Sequence, residues 1–286
     1  MAWTDMTQLT GLVAWYKPET LAATYANGDP ISTWADSSGN SRDLTGTTTT
    51  RPLAAASAIN GYMAADFDGT DDRLSSAGFS WTSSMTCFAA VMQRDVDKNH
   101  AFGFTLHDSS TSQYPVDIAG LSLISSDGAH WVDGMYTSGR RLAPYDKTQS
   151  KIPSTGTPYI YTCGNGSFGP FGRADGNYGV SKATGSISAP ANAPSTTAYL
   201  HLGFAENVSS SSTTYVFDGK FCELICWSPT SGLDEVPWVE GYLADKYAIT
   251  LADGHLFKNE PPQNAPTTYN TCLLYTSDAA DDASSV

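Results

Sequence analysis

Apolar residues along this chain come in short runs, each closed by Gly, Pro, Asn, Asp or Ser. The run Leu12-Val-Ala-Trp-Tyr16 ends at Lys17-Pro18 and predicts a first strand, because Pro18 cannot donate to a ladder. Ile31-Ser-Thr-Trp34 alternates between turn-rich segments, Asn27-Gly-Asp-Pro30 and Asp36-Ser-Ser-Gly-Asn-Ser41. Met63-Ala-Ala-Asp-Phe-Asp68 leads through Gly69-Thr-Asp-Asp72 into Arg73-Leu-Ser75, which predicts a hairpin. The near-continuous apolar run Met85–Met92 predicts a strand covered on both faces. Ala101–Leu106, Leu121–Ile124, His130–Asp133, Tyr159–Cys163 and Tyr199–Gly203 are further predicted strands. Residues Gly164–Gly179 hold too many glycines for a regular element and predict a loop carrying Phe168, Phe171 and Tyr178.

The last run, Phe217–Trp227, predicts a buried closing strand. Simple alternation turns Cys222, Leu224 and Cys226 one way and Phe221, Glu223, Ile225 and Trp227 the other. Val236, Val239, Leu243 and Tyr247 then recur at helical spacing, with Asp234 as N-cap and Pro237 in the first turn. This is the one helix the pattern predicts. Many strands at short intervals without helical periodicity between them predict an all-β, antiparallel sandwich with one short C-terminal helix.

Composition sharpens the picture. Aromatic residues make up 12% of the 286 and charged residues only 15%, as suits strands joined by turns. A formal charge of -14 with 15 scattered basic residues offers no surface for nucleic acid. No stretch is long and apolar enough to span a membrane, and Met1-Ala-Trp-Thr-Asp-Met6 lacks the pattern of a signal peptide, so synthesis in the cytoplasm is expected. The five cysteines include no Cys-x-x-Cys pair. Cys222 and Cys226 would lie about 13 Å apart on a strand, beyond disulfide reach, and the cysteines read as small buried hydrophobes.

Four motifs in order, Leu12-Val-Ala-Trp15, Ile31–Asn40, Arg51-Pro52 and Phe67-Asp-Gly-Thr-Asp-Asp72, resemble the N-terminal half of laminin-G-like, concanavalin A-like jelly-roll domains of bacterial and phage proteins. Gly241–Tyr247 and Leu251–Asn259 with Pro261-Pro262 are similar to the ending of the same family. The resemblance implies one jelly-roll domain over 1–262, followed by a linker-like stretch at 263–271. Residues 272–286 read as a tail, since Cys272–Asp282 resembles the translation of a sequencing adapter, and they are set aside from fold reasoning. It also implies a non-catalytic module that binds or displays. The setting it suggests is a phage virion, made in the host cytoplasm, where a fibre, decoration or adhesion protein contacts cell-surface glycan. The partners are then that glycan or other virion subunits, with an oligomer allowed and neither nucleic acid nor membrane involved. A purely structural virion subunit and a polysaccharide-degrading enzyme are the alternatives.

Chemistry must come from residues, because this fold serves many functions. Glycosidases on the scaffold resemble one another in a Glu-x-Asp-x-x-Glu strand motif, which is missing here. Glu223 stands alone on its strand and reads as a partly buried carboxylate bonded to a backbone amide or a Tyr, so no catalytic residue is assigned. The five histidines show no metal-ligand spacing. Ca²⁺ is the one cofactor the pattern allows. Asp68, Asp71 and Asp72, with Asp66 nearby, offer hard oxygens, although the same residues serve equally to make the turn, and the turn reading is preferred. Candidate sugar platforms are Trp131, Tyr136, Tyr145, Phe168, Phe171 and Tyr178, aromatics beside glycine-rich or polar segments.

Overall fold

The computed structural model describes residues 2–80, 85–94, 102–107, 121–124, 135–137, 140–142, 155–166, 169–178, 197–206, 214–228 and 235–266. Its first elements are β1 (Leu12–Tyr16), α1 (Pro18–Ala22), β2 (Thr33–Trp34), β3 (Leu44–Thr45), β4 (Leu53–Ile59), β5 (Tyr62–Asp68), β6 (Leu74–Ser76) and β7 (Phe79–Ser80). Then come β8 (Thr86–Gln93), β9 (Phe102–His107), β10 (Leu121–Ile124), β11 (Met135–Thr137), β12 (Arg140–Leu142), β13 (Tyr159–Gly166), β14 (Gly169–Ala174) and β15 (Asn177–Tyr178). The last are β16 (Thr197–Leu202), β17 (Phe204–Glu206), β18 (Thr214–Val216), β19 (Asp218–Trp227) and α2 (Val236–Tyr247).

Two antiparallel sheets face each other, as the all-β expectation requires. One has the order β15-β14-β13-β8-β19-β5-β4, and β1 runs along the second half of β19. The other has the order β10-β9-β16-β6-β3-β2, with β7 also on β16. Between them lies a core of Val13, Trp34, Leu44, Phe67, Leu74, Val91, Tyr161, Leu200, Leu202, Phe221 and Leu224 among others. A second apolar layer covers the outer face of the first sheet. There Trp3, Met6, Trp15, Phe88, Ile160, Ile225 and Trp227 meet Val236, Val239, Tyr242, Leu243 and Tyr247 of α2. Burial on both faces explains why β8 and β19 read as near-continuous apolar runs. Among the described residues, no helix is long and apolar enough to cross a membrane.

Several elements depart from expectation. The segment after β5 is not a hairpin: Gly69–Asp72 carries the chain across to β6 in the opposite sheet. The true hairpin partner of β5 is β4, and their turn is Asn60-Gly61, with φ of 47° and 82°. Positive φ at both central residues marks the tight turn whose twist matches the strands, and Asn-Gly is its preferred pair. Within 164–179, the described residues 164–166, 169–174 and 177–178 form strands rather than a loop, with Gly164↔Phe171, Asn165↔Pro170 and Gly166↔Gly169 in register. The ladder needs only backbone, and β13–β15 lie toward the sheet edge, where Gly and Pro are tolerated. A second helix, α1, follows β1 directly, started by Pro18 with Glu19 in its first turn. For α2, Glu235 occupies the N-cap without a side-chain capping hydrogen bond, while Asp234 and the strand expected at His130–Asp133 lie outside the described residues.

Simple alternation also fails on β19. Pairing with β8 slips between Phe221↔Val91 and Glu223↔Ala90, a β-bulge with Cys222 as the extra residue. Phe221 therefore joins Leu224 and Cys226 in the inter-sheet core, while Cys222 sits with Ile225 and Trp227 on the helix side.

Candidate functional site

The bulge places Glu223 beneath α2, where it is fully buried. Its Oε1 accepts from Trp15 Nε1 at 2.6 Å and Tyr242 OH at 2.8 Å. Its Oε2 accepts from Tyr247 OH at 2.7 Å and Lys246 Nζ at 2.8 Å. A carboxylate has about four lone-pair sites, and all are used here. Burial, then the Glu223 charge, pushes the Tyr242 and Tyr247 hydroxyls far above the ordinary phenol range. Burial alone would lower Lys246, but the Glu223 and Glu19 carboxylates outweigh it and raise it. With no acceptor left for a ligand, Glu223 anchors β1 and α2 to β19. Bonding to Tyr was foreseen from the sequence; full burial and the Trp15 and Lys246 partners were not.

A second buried carboxylate escaped sequence reasoning. Glu240 Oε1 accepts from Thr162 Oγ1 at 2.8 Å, and Oε2 meets Arg173 Nη2 at 3.2 Å and His255 Nε2 at 3.0 Å. His255 Nδ1 accepts from Phe257 N at 3.1 Å, so the ring proton toward Glu240 sits on Nε2. The network ties β13, β14, α2 and the 251–258 segment together. Its signal in the sequence is an acidic residue within the apolar stripe of α2, one turn after Val236.

A cluster of carboxylates lies at one rim of the sandwich, where β5 and β8 end and β19 begins. Arg94 Nε donates to Asp218 Oδ1 at 2.7 Å, Nη1 to Asp66 Oδ1 at 2.5 Å and Nη2 to the Phe67 carbonyl at 2.5 Å. Beside them, Asp68, Asp71 and Asp72 each bring a carboxylate oxygen within 4.8 Å of the others. Asp68 Oδ1 accepts from Thr70 N at 2.8 Å, and Asp72 Oδ2 accepts from Asp68 N at 2.9 Å, so the loop's own amides take part of the oxygen set. Asp68 and Asp71 are exposed, whereas Asp72 is buried. Burial, then the like charges of Asp68, Asp71 and Asp66, raises Asp72 to about 6 against the pull of the Asp68 amide. Three acidic oxygens of this kind suit a hard cation, which would need several further oxygens to complete its shell.

Three of the expected sugar platforms fall on described strands. Phe171 pairs with Gly164, which pairs with Thr86 at the start of β8, whereas the acidic rim adjoins Gln93 at its end. Tyr178 lies on β15 and Tyr136 on β11. Trp131, Tyr145 and Phe168 lie outside the described residues.

No protein-family profile matches the chain, nor does any curated protein sequence. Solved structures do. Domain 4 of AbnA, a GH43 extracellular arabinanase from Geobacillus stearothermophilus solved with arabinotriose, matches at 16% identity and TM-score 0.52, over 83% of this chain and 98% of that one. A GH54 α-L-arabinofuranosidase soaked with a cyclic sulfate inhibitor matches at 13% identity and TM-score 0.53, over 85% and 60%. Trypanosoma rangeli sialidase matches at 12% identity and TM-score 0.45 over 82% of this chain, which spans only 33% of that enzyme's length. The fold shared here is a β-sandwich found in carbohydrate-active proteins.

These matches correct two expectations. The chain was expected to be a non-catalytic display module of a phage virion and not an enzyme; the sandwich instead keeps company with glycoside hydrolases and a domain of one. The reason is visible in the fold. The motifs that carried the virion inference, such as Trp15, Asp36, Phe67 and Asp72, build strands and turns. They specify a sandwich and are silent about its setting.

Proposed function

We propose that this chain is the β-sandwich unit of a polysaccharide-degrading enzyme and engages neutral, arabinose-containing glycan. The observation that supports it is the match to AbnA domain 4, nearly whole domain against nearly whole chain, in a protein solved with arabinotriose. The net charge of -14 favours an uncharged polymer over an anionic one, which the summed field would repel. The sandwich is taken to be of the laminin-G-like jelly-roll kind, on the order of its N-terminal motifs. Glu223 and Glu240 have their oxygens committed inside the protein, so the acidic groups open to a ligand at the described rim are Asp68 and Asp71, beside Asp72.

Ca²⁺ held by Asp68, Asp71 and Asp72 is part of this reading, favoured by the 4.8 Å clustering. A cation there would offset the repulsion that raises Asp72 and present open coordination positions to sugar hydroxyls. The test is affinity electrophoresis in linear arabinan and calorimetric titration with arabinotriose, each with Ca²⁺ or with chelator, alongside release of reducing sugar from arabinan. Retardation or turnover is expected, reduced by chelator and by Asp71→Asn. A chain that is neither retarded by arabinan nor cleaves it would overturn the glycan assignment, whereas binding indifferent to chelator would remove only the cation.

A further inference from the structure

Three cysteines stand opposite one another in adjacent strands of the helix-bearing sheet. Cys226 of β19 pairs with Cys87 of β8, and Cys87 pairs on its other side with Cys163 of β13. All three point into the inter-sheet core and are fully buried. Directly opposed residues of antiparallel strands have Cα atoms about 4.5 or 5.5 Å apart, within the range of about 4.4–6.8 Å a disulfide accepts. What separates the two pairings is where the sulfurs point. Cys87 Sγ and Cys226 Sγ are in contact at 3.4 Å, while Cys163 is engaged by the Tyr161 side chain. Cys222, displaced by the bulge to the other face, donates toward the Met63 carbonyl at 3.5 Å.

From this geometry we infer that Cys87 and Cys226 are a disulfide site, joined when the chain folds in the presence of a small-molecule disulfide. In the step, the thiolate of one cysteine attacks the small disulfide and releases one of its halves as a thiol. The second cysteine then displaces the other half as a thiol. One Sγ–Sγ bond forms, the two cysteines lose two protons and two electrons, and one small disulfide is reduced to two thiols. Burial raises the Cys87 thiol once the core has closed, with the Cys226 thiol close beside it. Exchange therefore belongs to the folding chain and not to the finished fold. The bond would tie β8 to β19, the strands that bring Arg94 and Asp218 to the acidic rim, and it would close a loop spanning 139 positions. This site stands apart from the glycan reading and does not depend on it.

The test refolds the full chain from denaturant in a buffer of reduced and oxidised glutathione, and in parallel with excess dithiothreitol. Free thiols are then blocked with iodoacetamide under denaturing conditions. Of the five cysteines, the glutathione sample should leave three to be blocked, with a Cys87–Cys226 linked peptide and a melting temperature higher by about 5–10 °C than the reduced sample. Cys163→Ala should keep the linked peptide, and Cys87→Ala or Cys226→Ala should lose both it and the thermal gain. Five blocked thiols in the glutathione sample, or a bridge through Cys163, Cys222 or Cys272, would overturn the assignment. Should Cys87→Ala fail to fold, the Cys163→Ala chain and the native peptide map decide the matter alone.

Discussion

Replacing Glu223 by glutamine keeps the side chain's shape and removes its charge. In the fold, its two oxygens accept four bonds, from Trp15, Tyr242, Tyr247 and Lys246. Glutamine can still accept from Trp15 and Tyr242 through its remaining oxygen. Its amide nitrogen then faces Tyr247, whose hydroxyl can rotate to accept, and Lys246, which cannot. Lys246 is only 10% exposed, and Glu19, at 50% exposure, is its other carboxylate partner. Breaking a buried ion pair costs about 3–5 kcal/mol, and Glu19 relieves part of it, which leaves about 3 kcal/mol. In a chain of this size, about 2 °C accompanies each kcal/mol, so the melting temperature should fall by about 6 °C. Scanning calorimetry at pH 7 measures this directly. Adding Lys246→Met should recover part of the loss, because the stranded cation is then gone. A Glu223→Gln protein that melts within about 1 °C of wild type yet loses arabinan turnover would refute the reasoning and make Glu223 a reacting group.

Two further outcomes follow from the rim and the sandwich end. Asp72 is raised to about 6 in the fold against about 3.9 when unfolded. Between these values the folded state binds more protons, so this group's contribution is fully present below about pH 4 and is lost as pH rises through about 6. Urea titrations across that window should show a falling component that Asp72→Asn removes; a slope unchanged in Asp72→Asn would rule out Asp72 as its source. At Gly203, with φ of 86°, an added Cβ would lie 2.3 Å from the Phe67 ring and 2.6 Å from the Asp72 carbonyl. Gly203→Ala should therefore cost about 3 kcal/mol or more in urea denaturation, since both backbone and core must shift, and a loss below about 1 kcal/mol would mean that the β16 end moves freely.

The sequence revealed elements in proportion to how strongly local chemistry dictated them. β1, β5, β8, β19 and α2 carry unbroken apolar patterns and were readable. β4 was not, because Leu53-Ala-Ala-Ala-Ser-Ala-Ile59 has little strand propensity and is held by pairing to β5. The end of β13 and the strands β14 and β15 were hidden by glycines whose backbone alone makes the ladder. At the rim, the aspartates of 66–72 could be listed from the sequence. Their cation could not, for Arg94 reaches Asp66 across 28 positions and Asp218 across 124. Glu240 was overlooked for the same reason, since its partners Thr162, Arg173 and His255 come from three separate segments.

The extra residue in β19 works as a phase shift. On either side of Cys222 the strand keeps its own two-residue rhythm, but the two rhythms are offset by one position. The offset lets the middle strand of the molecule turn a carboxylate toward α2 while Phe221 and Leu224 both still serve the inter-sheet core. Removing Cys222 would leave Phe221, Glu223 and Leu224 in plain alternation on the faces they already hold, so at the bulge this strand should tolerate the loss of a residue that elsewhere would turn half of it to its wrong side.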